Sequence, residues 1–318
     1  MPGKYSRRVL NPLRWLGTLV VCLLALGWNG LGALQYDAVL SSDNIVIYST
    51  RAVNPSLENI ASLLDNRIGE LQMELGLYPT AKVPVYIVSD KQAYKKLSDG
   101  RAGIVEFSDA FYSGYEGRIY IRSGDQINQN YLNVLLHEYI HWFLEQYFVS
   151  TPLWFHEGMA TYFSGQMGYE RYLVFLRESF RGKQGNLYRM SYNYPEQKTD
   201  WELFYLSSAM ALQYMQKKEP ESWKRFWDKV AAAQKAGGKI RFNDAFIMAY
   251  NTSLYDFTKA FEAYSRRQGY LYLFVAINGC IFLFLPVVML FVARKRRRIL
   301  GQMQDLDLPD EPEDQIQG

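Results

Sequence analysis

The feature that most constrains this chain is a short segment, residues 137 to 156, which holds all three of its histidines. His137, Glu138 and His141 form the pattern His-Glu-x-x-His, and residues four apart lie on the same face of an α-helix. Apolar residues recur around the pattern at near-helical spacing and predict such a helix, with Asn128 or Asn130 as its N-cap: Leu132, Leu135, Leu136, Ile140, Phe143 and Leu144. The segment is therefore expected to fold so that two imidazoles face one point.

A third metal donor is expected from the segment that follows. A catalytic zinc ion takes three protein ligands and leaves the fourth position to water, so two histidines do not complete a site. Glu157 is the best candidate, because residues 150–152 (Ser-Thr-Pro) are typical of an N-cap followed by proline at the first position of a second helix. The sequence predicts a Zn²⁺ site formed by His137, His141 and Glu157.

Glu138 follows the first predicted ligand and is expected to act as the general base. Zinc lowers the pKa of a bound water molecule to about 7, and a positioned carboxylate can accept the proton that this water releases. The same residues also allow an interpretation without metal, in which the histidine pair faces solvent and Glu157 interacts only with the helix dipole. His156 is interpreted as a packed or solvated imidazole, not as a catalytic group.

In these residues the chain resembles the gluzincin metallopeptidases, particularly the peptidase-MA-like group and, more distantly, the zinc aminopeptidases. The resemblance covers roughly residues 44–265. It rests on the His-Glu-x-x-His pattern and on a downstream Trp-x-x-Glu-Gly-x-Ala segment, matched here by Trp154, Glu157, Gly158 and Ala160. It implies a zincin-like domain in which a small mixed sheet packs on the His-Glu-x-x-His helix and a helical lobe follows.

A second match implies a catalytic tyrosine. Residues 204–209 resemble the helix start whose phenol assists the oxyanion in the aminopeptidase branch, and the resemblance gives that role to Tyr205. Two departures stand beside it. The position before the third ligand, often small and polar or asparagine in these relatives, is His156, and the Gly-x-Met-Glu-Asn segment that anchors a substrate amino terminus is not found. Endopeptidase and exopeptidase activity both stay open.

Apolar segments lie near both ends of the chain. Four basic residues precede an apolar stretch from 15 to 26, which predicts a signal peptide or an N-terminal anchor over residues 1–33. Residues 270–293 form a second stretch, and a helix of these 24 residues would span about 36 Å against a hydrocarbon core of about 30 Å. The basic run 294–298 follows at once, and such runs stay in the cytoplasm.

The middle of the chain, residues 36–267, is therefore predicted to be an extracytoplasmic domain, and residues 294–318 a basic, then acidic, cytoplasmic tail. Residues 15–293 hold 26 basic and 26 acidic side chains, so the pI near 8.6 arises at the chain ends and no nucleic-acid partner is expected. Both cysteines, Cys22 and Cys280, lie in the apolar segments, so the domain is expected to contain no disulfide.

Hydrophobic periodicity predicts an α+β domain that begins with alternating strands and helices and continues almost wholly helical. The expected strands are 44–49, 83–88 and 118–121. The expected helices outside the site are about 56–75, 90–97, 200–218, 221–236, 242–250 and 254–267. The strand near Tyr120 is predicted as an edge strand able to hold an extended peptide, and residues 185–195 are predicted as a loop.

Together these observations predict a membrane-anchored, extracytoplasmic zinc metallopeptidase, a hydrolase whose partners are a peptide or protein substrate and the membrane. A non-catalytic zinc-binding ectodomain that senses or scaffolds is the alternative from another class. Glu138 argues against it, since a structural zinc site closes its fourth position and needs no base. An amidase acting on cell-wall material stays open as well, because a fold alone does not select the substrate.

Overall fold

The structure, a computed structural model, describes residues 36–50, 55–98, 109–123, 129–183 and 185–302. The predicted signal peptide or anchor and the acidic part of the predicted tail lie outside these residues. The chain divides into two compact units. The first consists of the residues up to Glu70 together with Tyr78–Trp142, and the second of Leu71–Leu77 together with the residues from Phe143 onward.

The first unit contains a five-stranded mixed sheet in the order β1-β2-β3-β5-β4. Its strands are β1 (Asp37–Ser41), β2 (Ile45–Ser49), β3 (Val83–Val88), β4 (Ala110–Ser113) and β5 (Arg118–Arg122). The inner pairs β2/β3 and β3/β5 are parallel, and the outer pairs β1/β2 and β4/β5 are antiparallel. The small mixed sheet is thus confirmed, and β3 has the predicted bounds.

The prediction of an edge strand near Tyr120 is wrong. Tyr120 lies in β5, which pairs with β3 on one side and with β4 on the other. The edge strand next to β5 is β4, a four-residue segment for which no strand is predicted, and β1 is the edge strand on the opposite side of the sheet. A tight turn joins β4 to β5: the main-chain N–H groups of Glu116 and Gly117 donate to the Ser113 carbonyl, and Gly117 has a φ of 63°, where a side chain would be strained.

Helices α1 (Pro55–Leu75) and α2 (Lys91–Ser98) connect the strands, and α3 (Gln129–Tyr147) follows the sheet. On α1, buried Ile60, Leu64 and Ile68 repeat every four residues and form one apolar face. Asp65 on the same helix accepts hydrogen bonds at 3.2 Å from the main-chain N–H groups of Asp43 and Asn44. These bonds fix α1 to the turn between β1 and β2.

The second unit is almost entirely helical. After β6 (Phe148–Ser150) it contains α4 (Leu153–Phe163), α5 (Tyr169–Phe180), α6 (Trp201–Lys218), α7 (Pro220–Lys235), β7 (Ile240–Arg241), α8 (Phe242–Tyr250) and α9 (Leu254–Gln302). The predicted helices lie within one residue of α6, α7 and α8, whereas α5 was not predicted. Among the described residues of this unit, α4 and α6 form the most extensive helix–helix packing.

Aromatic side chains fill the core of the second unit. Their rings pack in edge-to-face, tilted and stacked pairs, with centroids 4.6 Å apart for Phe155 and Phe242. The buried rings include those of Phe148, Trp154, Phe155, Phe226, Trp227, Phe242 and Phe246. The short parallel pair of β6 and β7 joins the beginning and the end of this aromatic core.

Helix α9 is a single element of 49 residues. It includes both the predicted closing helix 254–267 and the predicted membrane segment 270–293. Its early residues Phe257 and Phe261 are buried, and Gly269 is the last buried residue along it. Beyond that point its apolar side chains are largely exposed, and the helix is long and apolar enough to cross a membrane, with a mean hydropathy of 2.6 over its most apolar window.

Candidate metal centre

Helix α3 presents the two histidines on one face, as the sequence predicts. The His137 and His141 rings lie 4.9 Å apart at an angle of 80°, and both side chains are half-buried. The apolar residues that predicted the helix are buried: Leu132, Leu135, Leu136, Ile140, Phe143 and Leu144. The helix begins at Gln129, so Asn130 lies in its first turn and does not cap it, while Asn128 is outside the described residues.

Helix α4 supplies the third donor. One ligand atom from each of His137, His141 and Glu157 lies within 4.8 Å of the other two, so the three predicted donors come together and could hold a metal ion. The Glu157 side chain is buried, with 3% of its surface exposed. Two imidazole nitrogens and one carboxylate oxygen are the donors of many catalytic zinc sites, and other divalent transition metals accept the same set.

The start of α4 determines where Glu157 lies. The helix begins at Leu153, one position later than predicted, and Pro152 is its N-cap, with φ −61° and ψ 143°, and not its first helical residue. The Pro152 carbonyl accepts hydrogen bonds from the main-chain N–H groups of Phe155 and His156, at 3.0 and 3.1 Å. Proline has no N–H group of its own, so it ends the preceding segment and starts the helix. Glu157 lies less than two turns after that start.

Gly158 lets α4 and α6 approach closely next to the ligand. A Cβ atom at this position would lie 2.6 Å from the main-chain oxygen of Ser208 on α6. Real Cβ atoms essentially never approach an oxygen so closely, so any larger residue would push the helices apart. The glycine of the Glu-Gly pair therefore has a structural reason, and it fixes the backbone of Glu157.

Tyr194 holds the Glu157 carboxylate. Its phenol donates a hydrogen bond of 2.7 Å to Glu157 Oε1. The Tyr194 ring stacks on Trp201 with centroids 5.0 Å apart and an interplanar angle of 11°, and it also packs against Phe204. A partner that bonds to a metal ligand orients it and limits its movement, so Tyr194 is a positioning residue for the candidate centre.

Sequence reasoning did not single out Tyr194. It lies in the region 185–195 that was predicted as a loop, 37 residues after its partner, and it is one of 25 tyrosines in the chain. The one signal was the concentration of tyrosine and asparagine in that loop. Nothing in the local spacing marks which tyrosine reaches Glu157.

The Glu138 side chain is held by β4. Its Oε2 atom accepts a hydrogen bond of 2.7 Å from the main-chain N–H of Tyr112, and 8% of the residue is exposed. In an antiparallel pair, successive main-chain N–H groups point alternately toward and away from the neighbouring strand. The Tyr112 N–H points away from β5, so Glu138 lies along the outer side of this edge strand.

Tyr94 on α2 adds a second group near Glu138. Burial raises the pKa of the Tyr94 phenol well above its ordinary value, and the carboxylates of Glu138 and Asp109 raise it further, against an opposing effect of Arg122. Tyr94 packs with Phe111 and Tyr120 in a small aromatic cluster. The phenol therefore stays protonated and adds no negative charge beside Glu138.

The other two site residues named from the sequence have simpler surroundings. Burial lowers the pKa of His156 to about 4, although the neighbouring Glu157 carboxylate acts in the opposite direction. Tyr205 lies on α6, half-buried, with ring contacts to Trp201 and Phe204 at 6.0 Å each. These ring contacts do not test its catalytic role, which stays a prediction.

No family model matches the chain, and no curated protein matches it. The resemblance to the gluzincins therefore rests on the motif residues of α3 and α4.

Proposed function

We propose that this chain is a zinc-dependent metallopeptidase that is anchored in a membrane by α9. The observation that carries the proposal is the convergence of His137, His141 and Glu157 within 4.8 Å, with Glu138 adjacent to one of them in the sequence of the same helix. Two histidines and one carboxylate that bind a metal, together with a second carboxylate that acts as a base, are the groups used in metal-assisted hydrolysis.

The three donors would hold the metal, and the surroundings of Glu157 support that role. A zinc ion bound there would supply Lewis acidity toward a carbonyl oxygen and would acidify water near neutral pH. Tyr194 orients one carboxylate oxygen of Glu157, and Gly158 fixes the backbone beside it. The protein thus prepares the ligand before any metal binds.

Glu138 would accept a proton from the attacking water and deliver it to the leaving amine. The Tyr112 N–H group donates a hydrogen bond to Oε2 and limits the rotation of the carboxylate. A buried carboxylate held in this way is positioned to move a proton at one defined atom. The proposal gives Tyr205 the role of an oxyanion donor, as its resemblance to the aminopeptidase segment implies.

The substrate is proposed to bind along the outer side of β4. An extended peptide that adds to a sheet edge is held by main-chain hydrogen bonds, independent of its side chains. Because Glu138 lies along this side of β4, a peptide bound there would have its backbone beside the base. This placement favours a peptide over other amides.

We place the domain outside the cytoplasm. Arg294–Arg298 follow the apolar part of α9 directly, and basic residues at the end of a membrane helix stay on the cytoplasmic side. The metal centre, which precedes the helix in the chain, would then lie on the opposite side.

The test uses the full chain, purified in detergent, with metal analysis and hydrolysis of a peptide library as its readouts. The proposal expects one zinc per chain, cleavage by the wild type, and cleavage lost in Glu138→Gln while zinc is retained. Glu145→Gln, the same change on the same helix, is the matched control and should cleave normally. Bound zinc without any cleavage would overturn the peptidase and favour a sensor or scaffold, and a chain that binds no metal would overturn the site itself.

A further inference from the structure

A second feature of the molecule involves α9 and contains none of the metal-centre residues. An open groove of about 480 Å³ runs between the end of α6 and the part of α9 that precedes the apolar segment. Its lining includes Lys217 and Lys218 on α6, and Ala260, Ala263, Tyr264 and Arg267 on α9. The two alanines explain the space, because the helices meet there mainly through Tyr214, whose ring lies 4.7 Å from that of Tyr264.

The charge of this groove is one-sided. Three of its described lining residues, Lys217, Lys218 and Arg267, are basic, and none is acidic. Lys218 also borders a smaller neighbouring cavity that Glu219 and Asp256 line, so part of its charge is balanced there. The ammonium group of Lys218 lies 5.2 Å from the centre of the Tyr214 ring. Lys217 and Arg267 therefore contribute most of the unbalanced positive charge of the groove.

The position of the groove along α9 relates it to the membrane. Gly269 is the last buried residue of the helix, and a Cβ atom there would lie 2.6 Å from the main-chain nitrogen of Phe180 at the end of α5. At a rise of about 1.5 Å per residue, Arg267 lies about 3 Å and Tyr264 about 8 Å before that level. The headgroup layer on each side of a bilayer is about 5 to 8 Å thick, so the groove falls at headgroup height.

We infer that this groove binds the phosphate-bearing headgroup of an anionic phospholipid. Lys217 and Arg267 supply the positive charge, and the Tyr264 phenol supplies a hydrogen-bond donor. Burial raises the pKa of Tyr264, which keeps that phenol protonated. Arginine and lysine both bind phosphate oxygens through charge-assisted hydrogen bonds. The apolar surface of Ala263 and the Tyr264 ring suits the glycerol part of a lipid better than a fully hydrated anion.

The inference depends on α9 lying in a membrane, which its length and hydropathy support. It goes beyond the proposed peptidase, because none of the groove residues belongs to the metal centre. A chain without zinc or peptidase activity would still be expected to bind the lipid. The two proposals can therefore fail separately, and their readouts are independent.

The test uses the full chain in nanodiscs, made either of phosphatidylcholine alone or of phosphatidylcholine with phosphatidylglycerol. After extraction in detergent, native mass spectrometry measures the phosphatidylglycerol retained per chain. The variant Lys217→Ala/Arg267→Ala removes two charges from the groove. Lys224→Ala/Lys229→Ala removes two charges from the exposed face of α7 and is the matched control. Thermal unfolding of each variant in phosphatidylcholine alone shows whether its fold is intact.

The wild type and the control are expected to retain phosphatidylglycerol over phosphatidylcholine, and the groove variant to retain it about 25-fold more weakly, about fivefold for each basic side chain removed near an anionic surface. Equal retention by the groove variant and the control would overturn the inference. A second arm adds inorganic phosphate to the detergent-solubilised chain. If phosphate alone raises the unfolding temperature of the wild type and not of the groove variant, the groove is a site for free phosphate, and the lipid assignment is overturned.

Discussion

The neighbourhoods of Glu138 and Glu157 hold a buried carboxylate in two different ways. Glu138 Oε2 accepts a hydrogen bond from the main chain of Tyr112, and Glu157 Oε1 accepts one from the side chain of Tyr194, both at 2.7 Å. A main-chain donor is fixed by the sheet and survives almost any substitution at its own position. A side-chain donor is lost when a substitution removes a single oxygen atom, as Tyr194→Phe would do.

The difference suggests a division of work between the two neighbourhoods. A general base needs one exact distance to the proton that it moves, and a strand provides a rigid support for that. A metal ligand needs a fixed orientation, and for Glu157 that orientation depends on the phenol oxygen of Tyr194.

Exchanging each carboxylate for an amide separates the two roles most strongly. Glu138→Gln should lower turnover by about a thousandfold and leave zinc bound, since a positioned acid or base contributes about 10²- to 10⁴-fold. Glu157→Gln should instead weaken zinc binding by about a hundredfold or more. Steady-state hydrolysis and zinc competition titration measure both effects. If the two variants lose zinc and turnover in the same proportion, the proposed roles are wrong.

Gly158→Ala tests the close packing of α4 against α6 next to Glu157. The new Cβ would meet the Ser208 carbonyl at 2.6 Å, so the variant should lose about 1 to 3 kcal/mol of stability and bind zinc more weakly. Gly69→Ala is the matched control, because no atom lies within 4 Å of its Cβ position in α1. That change should raise stability by about 0.5 to 1 kcal/mol. Denaturant titration gives both values, and equal stability in the two variants would contradict the close approach of α4 and α6.

Tyr194→Phe removes only the phenol oxygen that bonds to Glu157. Loss of a partner of a metal ligand commonly costs 10- to 100-fold in affinity, and we expect about tenfold weaker zinc binding, with turnover of the zinc-loaded enzyme little changed. Tyr192→Phe, in the same loop and exposed, should bind zinc like the wild type. A Tyr194→Phe variant with unchanged zinc affinity would show that the phenol does not position the ligand.

Tyr112→Pro removes the main-chain N–H group that donates a hydrogen bond to Glu138. Other substitutions at this position change the side chain and keep that group. Proline is tolerated at a sheet edge, so the strand should form, while turnover should fall by about tenfold, with zinc binding unchanged. Tyr112→Ala keeps the N–H group and should retain most of the activity. Circular dichroism confirms that both variants fold. If Tyr112→Ala loses as much turnover as Tyr112→Pro, the side chain matters and the main-chain bond does not.

The parts of the site that sequence predicts are those set by local spacing. His137 and His141 share a helix face because they are four residues apart, and Glu157 follows a proline that starts the next helix. Each of these features is decided within about one helical turn, where periodicity and capping rules apply. The same rules place β3 and α8 with their observed bounds.

The parts that sequence misses depend on distant pairing. Strand β4 has four residues, too few for a clear alternation, and its role as an edge strand follows only from the pairing of β5 with β3. That pairing is why Tyr120 is interior and not at the edge. Tyr194 reaches Glu157 across 37 residues because its ring stacks on Trp201, a contact that no local pattern encodes.

The unbroken course of α9 has a mechanical consequence. From buried Phe261 to Arg294, at the end of the apolar stretch, the chain is one continuous helix of about 50 Å. Within these described residues, no non-helical linker separates the packed part of the helix from its apolar part. Torque applied at the basic end would reach the aromatic core of the second unit directly. Pro286 is a point of compliance along the helix, since it cannot bond to the carbonyl of Phe282, so the helix can bend there without swivelling. If α9 spans a membrane as proposed, the residues packed on its buried part would be held at a fixed distance from the bilayer.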